Sequence, residues 1–276
     1  MNPHARHPSA LLDPYASLWR NRRLVWQMAR REVVGRYRGS MMGVAWAFVQ
    51  PILMLGVYTF VFSVVFNARW GLGEQESRGT FAITLFVGLI VHGLFAEVSN
   101  RAPTLVLGNA NYVKRVVFPL EVFPWIVMGS ALFHAGVSLL VLLGAQVLLM
   151  HQLPWTFLFF PLVIAPLVLG TLGLGWFLAA LGVYVRDIGQ VTTLVTTVLL
   201  FLSPVFYPVS ALPAGLRGWL YLNPLTFVIE QSRAVLLFGQ PPHWGLWLLF
   251  LGLGLVICWA GFWWFQRARN GFADVV

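Results

Sequence analysis

Long uninterrupted runs of apolar residues dominate the pattern of this 276-residue chain. A helix needs roughly 20 such residues to cross about 30 Å of hydrocarbon. Residues 43–66 and 244–265 each form a run without a charged residue. Six apolar segments follow one another, and we expect each to form a transmembrane helix. They lie near residues 43–66, 81–99, 122–150, 157–183, 188–206 and 244–265.

The residues before the first run fall into two parts. Residues 1–16 contain three prolines and little else, and they predict a mobile tail. From residue 17 the pattern is that of a helix with one apolar and one basic face. It predicts an interfacial helix, within residues 17–42, that lies on the membrane surface or packs on the rest of the protein. The apolar face comprises Leu18, Trp19, Val25, Trp26, Ala29 and Val33, with Arg22 intruding, and the polar face comprises Arg20, Arg23, Gln27, Arg30 and Arg31.

Residues 207–243 do not fit the pattern of a span. They are apolar but contain five prolines, and the best helical run, 225–239, is only about 20 Å long. Glu230 and Arg233 are spaced to pair on one face of that helix. We therefore predict a re-entrant gate: a short helix near 212–222, a turn at Asn223 and Pro224, and a second helix that returns.

The predicted fold class is an all-α membrane protein. It has an N-terminal amphipathic interfacial helix, six transmembrane helices, and a re-entrant helix pair between the fifth and sixth. With 59% hydrophobic and 10% charged residues, the composition agrees with a chain that has lipid as its solvent.

Positive charge is distributed unevenly between the segments. The net charge of +9 would suggest nucleic acid as the partner of a soluble protein. However, 14 of the 18 Lys and Arg residues fall on one side if the N-terminus is cytoplasmic, and 4 fall on the other. This asymmetry is typical of cytoplasmic loops. We therefore expect a multi-pass protein of the bacterial inner (plasma) membrane, with both termini in the cytoplasm and no nucleic acid partner.

Several kinds of catalytic chemistry are missing from the sequence. Lys114 is the only lysine, and no glycine-rich phosphate loop precedes it, so we expect any ATP hydrolysis in a partner subunit. Cys258 is the only cysteine, and we predict neither a metal site nor a cofactor. His92 and Glu97 would point about 140° apart on one helix, so we predict no shared catalytic site. His134 is an isolated ionisable residue, which a bond to a neighbouring helix would satisfy.

Four short motifs carry a resemblance to a known family. Residues 36–51 read Arg-Tyr-Arg-Gly-Ser-Met-Met-Gly-Val-Ala-Trp-Ala-Phe-Val-Gln-Pro, and three further motifs follow, at 117–121 (Val-Phe-Pro-Leu-Glu), 185–188 (Val-Arg-Asp-Ile) and 223–224 (Asn-Pro). In this order they resemble the membrane subunit of ABC exporters of O-antigen and related polysaccharides, the Wzm-like family. That family shows the pattern Y-x-x-[ST]-x-L-G-x-x-W-x-x-x-x-P at the first junction, where Met42 here replaces leucine.

The resemblance, which runs from about residue 17 to 270, implies a half-transporter. Two copies would form a channel for lipid-linked polysaccharide, and two ATP-binding cassette subunits, which bind ATP and Mg, would dock below. It also implies that the first and fifth spans line the channel, that the re-entrant helices gate its outer end, and that the loop at 100–121 docks on the ATPase. The alternatives are capsular polysaccharide, teichoic acid or a small drug as cargo, or a membrane enzyme of lipid or glycan assembly.

The candidate site residues fall into four groups. Aromatic rings with scattered amides and hydroxyls suit a sliding sugar polymer, although such residues are also common at helix contacts. Channel residues would be Trp46, Gln50, Met54, Tyr58, Gln190, Thr193, Thr197 and Phe201. Gate residues would be Phe206, Tyr207, Asn223, Pro224, Glu230 and Arg233. ATPase coupling residues would be Asn109, Asn111, Tyr112, Lys114, Arg115, Arg30 and Arg31.

Arg36 and Arg38 form the fourth group, because arginines at the inner surface can contact a pyrophosphate or ordinary acidic lipid. Arg186 and Asp187 are expected to form a local ion pair that caps the fifth span.

Overall fold

The computed structural model describes residues 12–65, 78–113 and 118–275, and the chain is helical through most of them. The α-helices are α1 (Asp13–Tyr37), α2 (Trp46–Tyr58), α3 (Arg78–Arg101), α4 (Ala110–Val113), α5 (Phe123–Met150), α6 (Phe160–Tyr184), α7 (Ile188–Leu202), α8 (Ala214–Tyr221), α9 (Pro224–Leu236), α10 (Trp244–Ala268) and α11 (Phe272–Val275).

The N-terminal helix α1 begins earlier than predicted. Residues 13–16, which we assigned to the tail, are helical because Pro14 is suited to the first helical turn. The rest of the predicted tail, 1–11, lies outside the described residues. After Tyr37 the chain turns into α2 through Gly39 and Gly43, whose φ angles are +89° and +54°. Glycine adopts positive φ at no steric cost, so these two positions form the turn.

The apolar face of α1 is divided between two environments. Val25, Ala29 and Val33 are buried, and α1 packs on α5, where Gly129 leaves room for the Ala29 side chain. Trp19 and Trp26 remain exposed. Packing on the protein, one of the two predicted roles of this helix, is therefore confirmed, and contact with the membrane surface stays a prediction.

Within the described residues, five helical segments are long and apolar enough to cross a membrane. They are Gly43–Phe62, Gly79–Thr104, Leu120–Met150, Trp155–Tyr184 and Trp244–Gly271. In the predicted fifth span, 188–206, the helix is α7, whose 15 residues extend about 22 Å. It ends at Leu202 because Pro204 favours an extended conformation for Ser203. Five of the six predicted spans therefore have the length of a membrane helix, and a crossing by α7 stays a prediction.

Helix α3 lies at the centre of the bundle, and α2 lies at its edge. α3 packs against α5, α6, α7 and α9, and 72% of the most apolar stretch of its span is buried. In the span that contains α2, only 11% of the most apolar stretch is buried. Pro51 lies inside α2, which continues into a π-helical turn at Thr59–Val65.

Helices α6 and α10 run parallel and form the closest contact in the described part of the chain. A Cβ on Gly261 would overlap the Gly173 carbonyl oxygen, and one on Gly182 would overlap the carbonyl of Pro103. At opposite ends of this seam, Trp247 donates to Leu162 O and Tyr184 donates to Ala268 O. Small residues allow such close backbone approach in membranes.

Two short helices, α8 and α9, occupy the stretch predicted as a re-entrant gate, although α9 ends at Leu236 rather than 239. Asn223 caps α9 by accepting from the Leu225 amide, and Pro224 fills the first helical turn. The predicted pairing of Glu230 with Arg233 is confirmed at 2.8 Å.

At the start of α7 the structure corrects one prediction. Asp187 takes the N-cap position, but its side chain makes no capping hydrogen bond, and no ion pair with Arg186 occurs in the described residues. Both side chains are exposed, so solvent satisfies them as well as a pair would.

Candidate functional site

The residues predicted to line a channel lie mainly on exposed helix faces. On α2, Trp46, Gln50 and Met54 are exposed and Tyr58 is half-buried. On α7, all four predicted residues are exposed: Gln190, Thr193, Thr197 and Phe201. In the part of the chain that the structure describes, no helix covers these faces over most of their length.

The opposite face of α7 is fixed to α3 by polar contacts. Thr196 donates to the side chain of Asn100 at 2.9 Å, and its carbonyl lies 3.0 Å from His92 Nε2. His92 and Glu97 bind different partners, as their spacing predicted. The fixed face leaves the Gln190–Phe201 side pointing away from the bundle.

One aromatic cluster, which comprises Tyr58, Phe62, Phe81, Phe201 and Phe206, joins the predicted channel and gate residues. Phe62 stacks on Phe81 and Phe206 at ring-centroid distances of 5.7 Å and 5.8 Å. Phe206 stacks on Phe201 at 5.5 Å, and Tyr58 lies 6.4 Å from Phe62. The sequence predicted three of these five rings but not that they meet. Their meeting depends on how the helices pack, which no local pattern reveals.

A cluster of charged side chains links α1, α3 and α5 and was not predicted. Glu97 accepts from Arg36 at 2.7 Å and from Nδ1 of His134 at 2.9 Å. Arg101 forms an ion pair with Glu32 at 2.5 Å and lies 3.6 Å from Glu97. Since a carboxylate inside a protein requires such partners, the cluster satisfies Glu97.

The cluster bears on two predictions. His134 binds Glu97 of α3, so the predicted bond to a neighbouring helix is confirmed. Arg36 binds Glu97 but its side chain remains 41% exposed, and Arg38 is exposed as well, so contact of either arginine with a lipid headgroup stays a prediction. Contacting residues of the cluster lie up to 98 residues apart in the chain, so sequence spacing could not pair them.

A cavity of about 240 Å³ lies between α2 and the charged cluster. Gln50, Met54 and Tyr58 line one side, and Arg36, Glu97 and His134 contribute polar groups. This part of the predicted channel face therefore borders a polar recess rather than open hydrocarbon.

Arg233 holds three elements of the gate region together. Its guanidinium is 1% exposed and donates to Thr84 O of α3, to Val205 O after α7, and to Glu230 of α9. Asn223 Nδ2 donates to Ser203 Oγ at 2.8 Å, which ties the α8–α9 turn to the end of α7. Tyr207 donates to Phe201 O. The predicted gate residues are therefore fixed to the helix that carries part of the channel face.

The predicted coupling residues lie in a succession of short helical turns after α3. Asn109 donates to Leu105 O, and Tyr112 packs on Phe118 with ring centroids 4.5 Å apart, so the tyrosine ring is turned inward. Asn111 is exposed, as are Arg30 and Arg31 on α1. Lys114 and Arg115 lie outside the described residues.

The motif at 117–121 is anchored to the far end of the chain. Glu121 pairs with Arg269 at 2.9 Å, and its carbonyl accepts from Trp176 Nε1 at 3.0 Å. Arg269 also donates to Phe118 O. The residues that follow the coupling turns are therefore joined to α6 and to the end of α10.

Comparisons with known proteins agree with the resemblance seen in the motifs. The family model described as ABC-2 type transporter matches residues 23–237. The O-antigen export system permease protein RfbA of Myxococcus xanthus is 26% identical over 261 residues, 94% of this chain and 97% of that protein. The polysialic acid transport protein KpsM of Escherichia coli is 23% identical over 216 residues, 76% of this chain and 79% of that protein. The capsule polysaccharide export inner-membrane protein CtrC of Neisseria meningitidis serogroup A is 23% identical over 264 residues, 91% of this chain and 95% of that protein.

The matched region begins within α1 and ends just after α9, so it includes the charged cluster, both predicted channel faces and the gate helices. The resemblance to Wzm-like permeases is confirmed. The chain belongs to the ABC-2 type transporter family.

Proposed function

We propose that this chain is the membrane subunit of an ATP-driven exporter that moves lipid-linked polysaccharide of the O-antigen type out of the cytoplasm. Two copies form the channel, and two ATP-binding cassette subunits, which hold ATP and Mg, drive it. The observation that carries the proposal is the pair of exposed faces on α2 and α7, in a chain similar over almost its full length to an O-antigen export permease.

The chemistry of these faces suits a sugar polymer. Thr193 and Thr197 hydroxyls and the amides of Gln50 and Gln190 exchange hydrogen bonds with sugar hydroxyls. Trp46, Tyr58 and Phe201 offer ring faces to the C–H faces of sugars, alongside Met54. Because each contact is weak, the polymer can slide. A second copy covers the faces that one protomer leaves open.

The parallel course of α6 and α10 supports the proposed topology. The chain leaves α6, returns once through α7, and enters α10 in the same direction as α6, so α8 and α9 together make no net crossing. With 8 and 13 residues, neither is long enough to span. We propose on this basis that the pair is re-entrant, that α7 makes the sixth crossing, and that both termini lie in the cytoplasm, as the positive charge distribution predicts.

Coupling to ATP hydrolysis uses the turns after α3 together with α1. Arg101, the last residue of α3, pairs with Glu32 of α1, and Pro103 packs closely on Gly182 of α6. An ATPase that presses on residues 102–113, or on Arg30 and Arg31, therefore displaces α1, α3 and α6 together.

Capsular polysaccharide is the second candidate cargo. The relatives named KpsM and CtrC, a polysialic acid transport protein and a capsule polysaccharide export protein, favour it. Both cargoes require the same kind of channel, so the choice concerns the glycan and not the mechanism.

Genetic complementation tests the proposal. In cells that lack this gene, lipid-linked glycan should accumulate in the cytoplasm, and the wild-type gene should restore surface glycan. Affinity purification should recover an ATPase with a phosphate-binding loop, and intermolecular cross-linking should give a dimer of this chain. Normal surface glycan without the gene, or purification with no ATPase, would contradict the proposal.

A further inference from the structure

Two apolar cavities follow one another along the seam between α6 and α10. The first, of about 380 Å³, extends from the start of α9 to the middle of the seam. The second, of about 360 Å³, continues toward Trp263 and Trp264. Leu174 and Ile257 line both cavities, so the two form one groove, which we call the seam groove. No charged side chain lines it among the described residues.

The seam groove opens to the surroundings of two membrane-spanning helices. Leu222, Leu253 and Ile257 line it and are also exposed. Apart from Thr171 and Asn223, the residues that line the first cavity are apolar, so most of the groove offers water no hydrogen-bond partner, and an empty groove would forfeit dispersion contacts. Hydrocarbon is the solvent at this depth and can fill such a groove.

One end of the groove has the chemistry of a lipid headgroup site. Trp263 and Trp264 line this end, and the guanidinium of Arg267 lies 5.7 Å from the centre of the Trp263 ring. Tryptophan is enriched at the level of the headgroups, and arginine binds phosphate. From Trp264 to Gly254 the helix extends about 15 Å, which equals one leaflet of the hydrocarbon core.

The other end of the groove reaches the gate helices. Pro224, Leu225 and Val228 of α9 line it, and Phe250 stacks on Phe227 with ring centroids 4.3 Å apart. A chain in the groove therefore fills the space beneath the first turns of α9. None of the predicted channel residues on α2 or α7 lines either cavity.

We infer that the seam groove is a binding site for an anionic phospholipid of the bilayer, with its phosphate at Arg267 and one acyl chain extending along α6 and α10 to support α9. The site is separate from the proposed channel and does not depend on which polymer is exported. Its occupant is a structural lipid and not the transported glycolipid.

Filling the groove with a side chain tests the inference. A Cβ at Gly170, which lines the first cavity, would have no neighbour within 4 Å, so Gly170→Leu fills space without displacing the backbone. Gly252→Leu on α10 is the matched control, because Gly252 has equally open surroundings and lines neither cavity. Lipid that co-purifies with the detergent-washed complex is identified and counted per subunit by mass spectrometry.

The wild type and Gly252→Leu should retain phospholipid, and Gly170→Leu should retain markedly less, because the leucine side chain occupies the space of the acyl chain and removes its dispersion contacts. Equal retention by Gly170→Leu would overturn the inference, and so would a polyprenyl lipid as the retained species. A photoreactive phospholipid with its diazirine at the chain end should label residues 222–228 in the wild type. The same labelling in Gly170→Leu would also count against the site.

Arg267→Gln tests the headgroup assignment. In nanodiscs that contain phosphatidylglycerol and phosphatidylcholine, the wild type should enrich phosphatidylglycerol, and the variant should lose this preference while the chain-end labelling of 222–228 continues. An unchanged preference would show that Arg267 does not bind the lipid phosphate. Because all readouts concern bound lipid, their failure leaves the export proposal untouched, and a failed export assay leaves them untouched.

Discussion

The spans that contain α2 and α3 are almost equally apolar, with mean hydropathies of 1.8 and 2.0. However, only 11% of the most apolar stretch is buried in the span of α2, whereas 72% is buried in the span of α3. The difference lies in how their polar groups are used. Thr84, His92 and Glu97 of α3 all contact other helices. On α2, Trp46 and Gln50 face outward. Apolar content therefore identifies a membrane helix, whereas the partners of its polar residues show whether that helix is already covered.

Two glycines, one on each helix, provide the most direct test of this difference in burial. A Cβ on Gly88 of α3 would lie 3.1 Å from the Val205 backbone, whereas one on Gly56 of α2 would meet nothing within 4 Å. Gly88→Leu should destabilise the protein by about 3 kcal/mol through overpacking, whereas Gly56→Leu should leave the purified protomer stable. Thermal unfolding of both variants measures this, and equal loss of stability would refute the distinction.

The second largest effect is expected at Arg233. Arg233→Met leaves Val205 O without its side-chain donor in a buried site and removes the additional donor to Thr84 O, which costs about 2–3 kcal/mol. Arg217 is the matched control, because it also donates to two carbonyls, Ser210 O and Leu212 O, but is exposed. Arg217→Met should change the melting temperature little. If both variants melt alike, burial is not what gives Arg233 its effect.

A substitution in the charged cluster should lower stability less than Arg233→Met does, and its main effect should be on the coupling of ATP hydrolysis to export. Glu97→Gln keeps the side-chain volume but removes the charge that faces Arg36 and His134, a loss of about 1–2 kcal/mol. ATP hydrolysis by the complex should continue while export per ATP falls. Asp187→Asn, at the exposed start of α7, serves as the control and should export normally. Normal export per ATP in Glu97→Gln would exclude the cluster from coupling.

Substitutions on the exposed faces of α2 and α7 should change export and leave stability unchanged. Tyr58→Ala and Phe201→Ala are expected to lower glycan export while dimer yield and melting temperature stay near those of the wild type, because neither ring is fully buried. Leu148→Ala on α5 removes an exposed apolar side chain elsewhere and should export normally. Export rates in reconstituted vesicles separate these outcomes, and unchanged export by Phe201→Ala would argue against a channel role.

Local sequence patterns predicted the helices and the helix cap that depend on interactions within one segment of the chain. The apolar runs predicted the long helices, and Asn223-Pro224 predicted the start of α9, because an asparagine cap and a proline suit the first helical turn. Pro204 also offered a local signal for the early end of α7, since proline constrains the preceding residue, but we placed the end of that span at 206.

The contacts that join distant segments were beyond sequence reasoning. Glu97 finds Arg36 and His134 through the packing of three helices, and Arg233 finds Thr84, 149 residues away in the chain. Spacing reveals only partners within one helix, as with Glu230 and Arg233. The charged cluster and the aromatic cluster therefore appear only once the helices are in place.

The parallel seam of α6 and α10 has a consequence for biosynthesis. α10 is synthesised after α6, so the glycine face of α6 lacks this partner until α10 has been inserted. The carbonyl of Gly173 and the Gly261 backbone then meet late, and Trp247 and Tyr184 close the two ends of the pair. A chain truncated after residue 243 would lack this final step, and quality-control proteases would encounter an unfinished α6.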